Sequence, residues 1–497
     1  MPNFICFKNT FNANYVKTNQ TMKKLIRLVF ILLSTVPIVK AQTLSISEEI
    51  FIGNSEGYGI IGKMSDRVLF FNLDDNKVKV KAFDTKLHKV WEKDIEPDRK
   101  NQSKVLEVLG NRQEFNVIYQ FRKKGHNYIK AHKYDAQVKL LDSITIRDWG
   151  KELISPTFKT AYSEDKKVFL AYEIVGNDHI NALAMSLDSL RPLWYKSFDY
   201  KNWDFDNNYS QVIINNQAEA FFIKEEENRG GSLEKHRINV KRFSETEDKE
   251  FDISLKDIYG IDVKFSYDNV NQRLRAAGIY SAKNFTRAQG YYSITIPPQY
   301  TDYKIAYQLF DDPFVTAVVG KKTTDNKGLN DLTVREIVHK RDGGILAIFE
   351  QVREIERQAN PTMSGRLWFR GDHLKGATDY YYDNVLAISI SADGATDWKS
   401  IFYKKQMSQD DDARFCSYFL VKTPSSLRFQ FNDEVERATT VSEYVLNGIG
   451  ENERHTIFNT DGQNVSLRFR DAMQVAANEV IVPSDDRRRV KLVKILY

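Results

Sequence analysis

One kind of segment recurs along the chain. An apolar run of about seven residues returns as VLFFNLD from Val68, FNVIYQF from Phe115, VFLAYEI from Val168, AFFIKEE from Ala220, LRAAGIY from Leu274, ILAIFEQ from Ile345, LRFQFND from Leu427 and EVIVPSD from Glu479. Most neighbours lie about fifty residues apart, the range of radial and solenoid repeats. Each run follows a further apolar stretch and a short turn, as in YGIIGKMSDR, PTFKTAYSEDKK, VREIVHKRDGG and AMQVAANE. Hairpins follow several of them. YYYDNVLAISISADGATDWK, from Tyr380 to Lys399, alternates apolar with small residues, turns at Asp393-Gly394 and reaches Trp398. VKAFDTKLHKVWEKDI from Val80 places Asp84 and Trp91 in the same way, and ALAMSLDSLRPLWYKSF from Ala182 places Asp188 and Trp194. IKAHKYDAQVKLLDSITI from Ile129 keeps the aspartate, at 135, and lacks the tryptophan. Period-two alternation bounded by turn residues reads as strands.

The unit is strand, turn, strand, loop, strand, turn, strand. A single hydrophobic core stops growing at roughly 250–300 residues, so a chain of 497 residues must split its core or repeat small ones. Four antiparallel strands repeated in this way predict an all-β fold, a β-propeller of four-stranded antiparallel blades. The count favours eight blades; seven follow if two units merge, and an open array of β-sandwiches is the other arrangement. Trp91, Trp194 and Trp398 are expected to fill the space between blades, and the Asp and Gly residues to close tight turns. The last unit supplies EVIVP and Arg489 to Tyr497 and then the chain ends. Its missing outer strand is expected from TLSISEE, Thr43 to Glu49, so that the N-terminal strand pairs with the C-terminal blade and no edge is left open.

The N-terminus carries an address. Lys23, Lys24 and Arg27 precede the apolar run Leu28 to Val39, and Val39-Lys40-Ala41 offers small residues at a cleavage site. This is the pattern of a signal peptide over 22–41 cut after Ala41, with 1–21 an upstream extension ahead of a better start at Met22. The expected location is therefore exported: periplasm, outer-membrane surface or extracellular. The mature domain is expected over 42–497, with no transmembrane segment. The full chain has 72 Lys+Arg against 67 Asp+Glu, net +5, but residues 1–41 hold six of the bases and no acid. What remains is 66 bases against 67 acids, so a basic nucleic-acid-binding surface is not implied. Of Cys6 and Cys416 only the second lies beyond the leader, which excludes an intramolecular disulfide there.

Two stretches exceed ordinary loop length, Lys321 to Thr333 and Arg353 to Asn384. The second is an insertion at 353–384 and carries Trp368, Phe369, Arg370, His373, Tyr380, Tyr381 and Tyr382. Aromatic rings cover area at low entropic cost and Arg supplies donors, so these are the candidate binding residues. Asp410, Asp411 and Asp412 follow the KKQ of Lys404 to Gln406 and read as a solvated loop, with a hard-cation site the sharper alternative. Asp204, Asp206 and Asn208 begin like a calcium loop, but Tyr209 replaces the required Gly and Asn215 the final Glu. GYGIIGK from Gly57 matches a dinucleotide fingerprint without its strand-turn-helix context. His126 and His132 are read as a surface pair separated by a turn, and Cys416, in FCSYFLV, as a core thiol on an inner strand. No metal site is expected.

The repeat resembles β-propellers of the quinoprotein-like and WD40-like kind over nearly the whole mature chain. No Gly lies between Asp84 and Trp91 or between Asp188 and Trp194, where quinoprotein blades usually carry one, so no cofactor is expected. The segment from Tyr380 to Asp433, with KKQ and the FND of Phe431 to Asp433, is similar to uncharacterised exported bacterial propellers. That resemblance implies a location and no activity. The expectation is a non-enzymatic binding or scaffold propeller of the cell envelope, recognising a protein or glycan through loops on one face. The alternative is a carbohydrate hydrolase or lyase with carboxylates at the central tunnel, where Glu107 and Glu336 are among the few inner-strand acids.

Overall fold

The computed structural model describes residues 43–497 except 54–56, 75–76, 99–100, 102, 152–153, 177, 202, 204–208, 227–235, 256, 284, 322–327, 358–377, 434–439, 461–462, 464 and 487. Eight antiparallel sheets follow one another along the chain as blades 1 (57–95), 2 (103–151), 3 (158–199), 4 (210–254), 5 (259–309), 6 (332–402), 7 (419–459) and 8 (473–496, with 43–46). The chain is an eight-bladed β-propeller. The eight apolar runs that mark the repeat are the second strands of the eight blades.

The composition of these runs follows from burial on both sides. In blade 1, Val68 and Phe70 point toward Ile481, Val490 and Leu492 of blade 8, while Leu69 points toward Val108, Phe115 and Val117 of blade 2. A strand covered on both faces loses the polar half of its alternation and reads as a continuous apolar run. Blades 6 and 7 meet in the same way: Phe402 lies 4.5 Å from the ring of Phe429 and 5.1 Å from that of Tyr444. Tryptophans on outer strands bridge to the next blade. Trp194 Nε1 donates to Ala218 O of blade 4 at 2.8 Å, and Trp398 Nε1 donates to Gly448 O of blade 7 at 3.2 Å. Trp91 packs, partly buried, on the seam of blades 1 and 2. The hairpin aspartates close their own turns: Asp84 Oδ1 accepts from Lys86 N and His88 N, and Asp135 Oδ1 from Gln137 N and Lys139 N, all at 2.8–2.9 Å.

Blade 8 is built from both ends of the described chain, in the order Thr43–Ile46, Arg489–Leu496, Glu479–Asp486, Met473–Ala476. Ser47 N donates to Leu492 O at 2.9 Å, and Leu492 N donates to Ser47 Oγ at 2.8 Å. Ile50–Phe51 then pair with Val490 and Arg489. The expected closure is present, and the innermost strands of blades 1 and 8 lie beside each other.

Three local expectations are corrected. Between blades 5 and 6 the chain forms an α-helix, α1 (Asp312–Val319), where only strands and loops were read. Asp311 caps it by accepting from Phe314 N at 2.8 Å, and Gly320 ends it at φ +72°, a left-handed conformation that suits a residue without Cβ. His126 and His132 share one strand, His126–Asp135, and no turn separates them. His126 faces solvent beside Asp148, while His132 is buried between the hydroxyls of Tyr119 and Tyr134 at 3.1 and 3.0 Å. Cys416 is buried, as expected, but in the turn before the innermost strand of blade 7, against Tyr382 and Ala413. A short side chain there fills space under that turn.

Candidate binding groove

In an antiparallel blade the start of the first strand, the end of the second, the start of the third and the end of the outer one lie at one face of the ring. At that face, between blades 5, 6 and 7, opens a groove of about 970 Å³. Its lining combines Arg287, Arg353, Lys405 and Arg454 with Asp331, Asp383 and Asp433, and amide side chains from Asn330, Gln351 and Asn384. Val318 and Val319, at the end of α1, form an apolar part of the wall.

A β-bulge aims two of these residues. Blade 6 pairs Glu350 with Val385 and Val352 with Tyr382, so Gln351 alone opposes both Asp383 and Asn384. The extra residue turns the third strand locally and presents both polar side chains at the rim. Asn384 is then fixed, its Nδ2 donating to Gln351 Oε1 at 3.1 Å and to Val318 O at 3.2 Å. Asp331 sits at φ +56°, a conformation that Asp tolerates better than most residues. Its carbonyl accepts from Val352 N at 2.6 Å.

Beneath the groove lies a buried polar network. Lys404 Nζ makes an ion pair with Glu350 Oε1 at 2.8 Å and donates to Tyr382 O and Gln406 Oε1, each at 2.9 Å. Glu350 Oε2 accepts from Ser417 Oγ at 2.8 Å and meets Arg335 Nε, from the innermost strand, at 3.1 Å. Gln406 Nε2 reaches Asn432 O at 2.7 Å. The KKQ and FND segments are therefore joined in space, with Lys405 and Asp433 at the surface of the same assembly.

The charges at the rim differ in how far they are satisfied. Arg454 is paired with Asp433, which also accepts from Ser442 Oγ. Arg353 lies over the Tyr381 ring at 4.6 Å. Arg287, Arg353 and Lys405 are exposed and make no ion pair with a described residue, and the exposed Asp331 carboxylate has no hydrogen-bond partner among them. Burial pushes the Asp383 carboxyl above the usual carboxylate range, and the Asp331 charge adds to that, against Lys404, Lys405 and Arg353, which pull it down.

Of the candidate aromatics, Trp368, Phe369, Arg370 and His373 lie outside the described residues. Tyr380, Tyr381 and Tyr382 belong to the third strand of blade 6, where they pair with Ser408, Met407 and Gln406 of a short added strand, Gln406–Gln409. Tyr380 and Tyr382 share one strand face, where Tyr382 is buried and Tyr380 partly buried in the cluster with Cys416, while Tyr381 is half-buried on the other face. The neighbouring aspartates do not converge: Asp410 Oδ1 accepts from Thr378 N at 2.7 Å and Asp411 Oδ1 from Ala413 N at 2.9 Å. Among the described residues no cluster of His, Cys, Asp and Glu could hold a metal ion.

The inner-strand acids are held apart. Glu107 of blade 2 accepts from Thr160 Oγ1 at 3.2 Å, and Glu336 of blade 6 pairs with Lys422 at 3.0 Å. Three blades lie between them on either side of the eight-blade ring, so they stand on opposite sides of it and do not flank a single glycosidic bond. A Ser-His-Asp alignment occurs elsewhere: His179 lies 2.8 Å from Ser197 Oγ and 2.7 Å from Asp199 Oδ1. All three sit on the third and outer strands of blade 3, and Ser197 Oγ donates to Asn181 Oδ1 at 2.8 Å. That half-exposed strand face is a cross-strand polar cluster.

No protein-family model matches the chain, and no curated protein matches it. Solved structures with a similar fold include the polysaccharide lyase Uly1, at 9% identity and a TM-score of 0.39, covering 91% of this chain and 99% of that one. The Porphyromonas gingivalis dipeptidyl peptidase 4 has 9% identity and a TM-score of 0.41, covering 88% of this chain and 58% of that one. The β-propeller domain of the Trilobed protease from Pyrococcus furiosus has 9% identity and a TM-score of 0.32, covering 81% and 99%. At such identities and scores the likeness bears on neither site nor activity.

Proposed function

We propose that this chain is an exported binding propeller of the cell envelope, which grips an anionic partner in the groove between blades 5, 6 and 7. The observation that carries this reading is the set of exposed cations, Arg287, Arg353 and Lys405, which make no ion pair with a described residue, around a groove underlain by the buried Lys404–Glu350 pair. Unpaired guanidinium and ammonium groups on a rigid scaffold recognise carboxylate, sulfate or phosphate without paying to be positioned. The leader over 22–41 supports export, and among the described residues no helix is long and apolar enough to cross a membrane.

Dextran sulfate tests the reading. The expected result is salt-sensitive binding by the wild type, weakened at least about tenfold in Arg353→Ala/Lys405→Ala, with unchanged thermal unfolding. Equal binding by wild type and double variant would remove the groove from the proposal. Export is tested by N-terminal sequencing of the protein from the envelope fraction, where Gln42 is the expected first residue. The carbohydrate-cleaving alternative now attaches to Asp331 and Asp383, the carboxyls close enough to influence one another. Chain shortening of an acidic polysaccharide by the wild type, abolished in Asp383→Asn, would replace the binding reading.

A further inference from the structure

An anion alone does not account for the groove. Beside the cations stands Asp331, exposed, without a hydrogen-bond partner among the described residues, and held in place through its own backbone bond to Val352. A carboxylate in a site for anions repels its ligand unless the ligand also brings donors. Asp331 is not placed to neutralise the cations, since it forms no ion pair with Arg287, Arg353 or Lys405, although all four line one groove. It therefore stays available as an acceptor with several free lone-pair sites. Asn330 and Gln351, next to it on the rim, can each donate and accept.

Resting on the proposal that the groove binds anions, we infer that its ligand is an acidic glycan. Its carboxylate or sulfate meets Arg353 and Lys405, with Arg287 beside them, and a pair of adjacent sugar hydroxyls donates to the two oxygens of Asp331. Vicinal hydroxyls match a carboxylate in the way an Arg fork does, with two parallel hydrogen bonds to a charged acceptor. An acidic peptide offers the anions but no paired hydroxyl donors, and so leaves Asp331 as a repulsive group.

The test compares two polyanions of matched length, polygalacturonate and poly-L-glutamate, on the full chain. The expected result is at least about tenfold tighter binding of polygalacturonate by the wild type, the size of one charge-assisted hydrogen bond. Asp331→Asn suits the same backbone conformation. It should weaken polygalacturonate by a similar factor while leaving poly-L-glutamate unchanged or tighter. Blocking the sugar hydroxyls by O-acetylation should weaken binding to the wild type by the same factor, a readout that needs no variant. Equal affinity of the wild type for both polymers, or tightening of both by Asp331→Asn, would overturn the glycan inference and leave anion binding standing. Binding of neither polymer at low salt would overturn the proposed function itself.

Discussion

Lys404 and Glu350 form an ion pair at 2.8 Å from which water is excluded, their side chains being 1% and 0% exposed. The pair ties the end of one blade 6 strand to the middle of another, directly under the groove. Burial alone pulls the Lys404 ammonium below the usual lysine range, and Glu350 works against that pull.

Removing one partner should therefore hurt more than removing both. Lys404→Met leaves Glu350 with Arg335 and Ser417 only and should cost about 3–5 kcal/mol in urea unfolding. Adding Glu350→Gln should recover part of that loss, giving a double-mutant coupling well above the scatter expected for independent sites. Additive losses would show that the two residues act separately.

The ring closure has its own signature. Ser47→Ala removes the acceptor for the buried Leu492 amide and should cost about 1–3 kcal/mol. Deleting 43–52 should cost more and broaden the transition, because the third strand of blade 8 then presents a bare edge. Unfolding by urea, followed by circular dichroism, measures both.

Acid should destabilise the fold through His132. Desolvation lowers its pKa to about 4, from the ordinary 6.5. Below pH 6.5 the unfolded chain takes up a proton that the folded chain refuses, so the unfolded state binds more protons and stability falls as pH falls from 6.5 toward 4. The component is roughly 1–2 kcal/mol after allowance for partial solvent contact. His132→Gln should flatten that part of the stability-pH curve, and an unchanged slope would assign the acid sensitivity elsewhere.

Binding should also respond to pH, through Asp383. Its carboxyl titrates above the usual range because it is partly buried beside Asp331. Sulfate esters keep their charge through and above the carboxylate range, so dextran sulfate isolates the protein's contribution. Its affinity should rise severalfold as pH falls and Asp383 loses its negative charge, and Asp383→Asn should bind with the low-pH affinity throughout.

Much of the architecture could be read from local pattern because blades are local. The double-sided burial of Val68, Leu69 and Phe70 shows as an unbroken apolar run, and Asp84 marks a turn that it closes itself. The partnership of 43–49 with the last strands followed from an unfilled edge. The helix α1 escaped because eight residues hold barely two turns, too few for a period to appear, even though Asp311 and Gly320 cap it in a recognisable way. The groove escaped for a different reason. Arg287, Asp331, Asp383, Lys405 and Arg454 come from three blades and meet only when neighbouring sheets stack. KKQ and FND contained some of its members, but nothing short of the fold shows that Gln406 reaches Asn432. Aromatic content drew attention to Tyr382, which strand alternation then turned inward.

Blade 1 leaves Ile60, Val68 and Phe70 without cover until the final residues of the chain arrive. During synthesis or refolding the growing stack thus has a greasy leading end that waits for the slowest, most distant contact in the molecule. Intermediate blades can assemble in sequence against their predecessors, but completion is one late event, and a chain arrested short of Leu492 should associate with its own copies through that uncovered sheet.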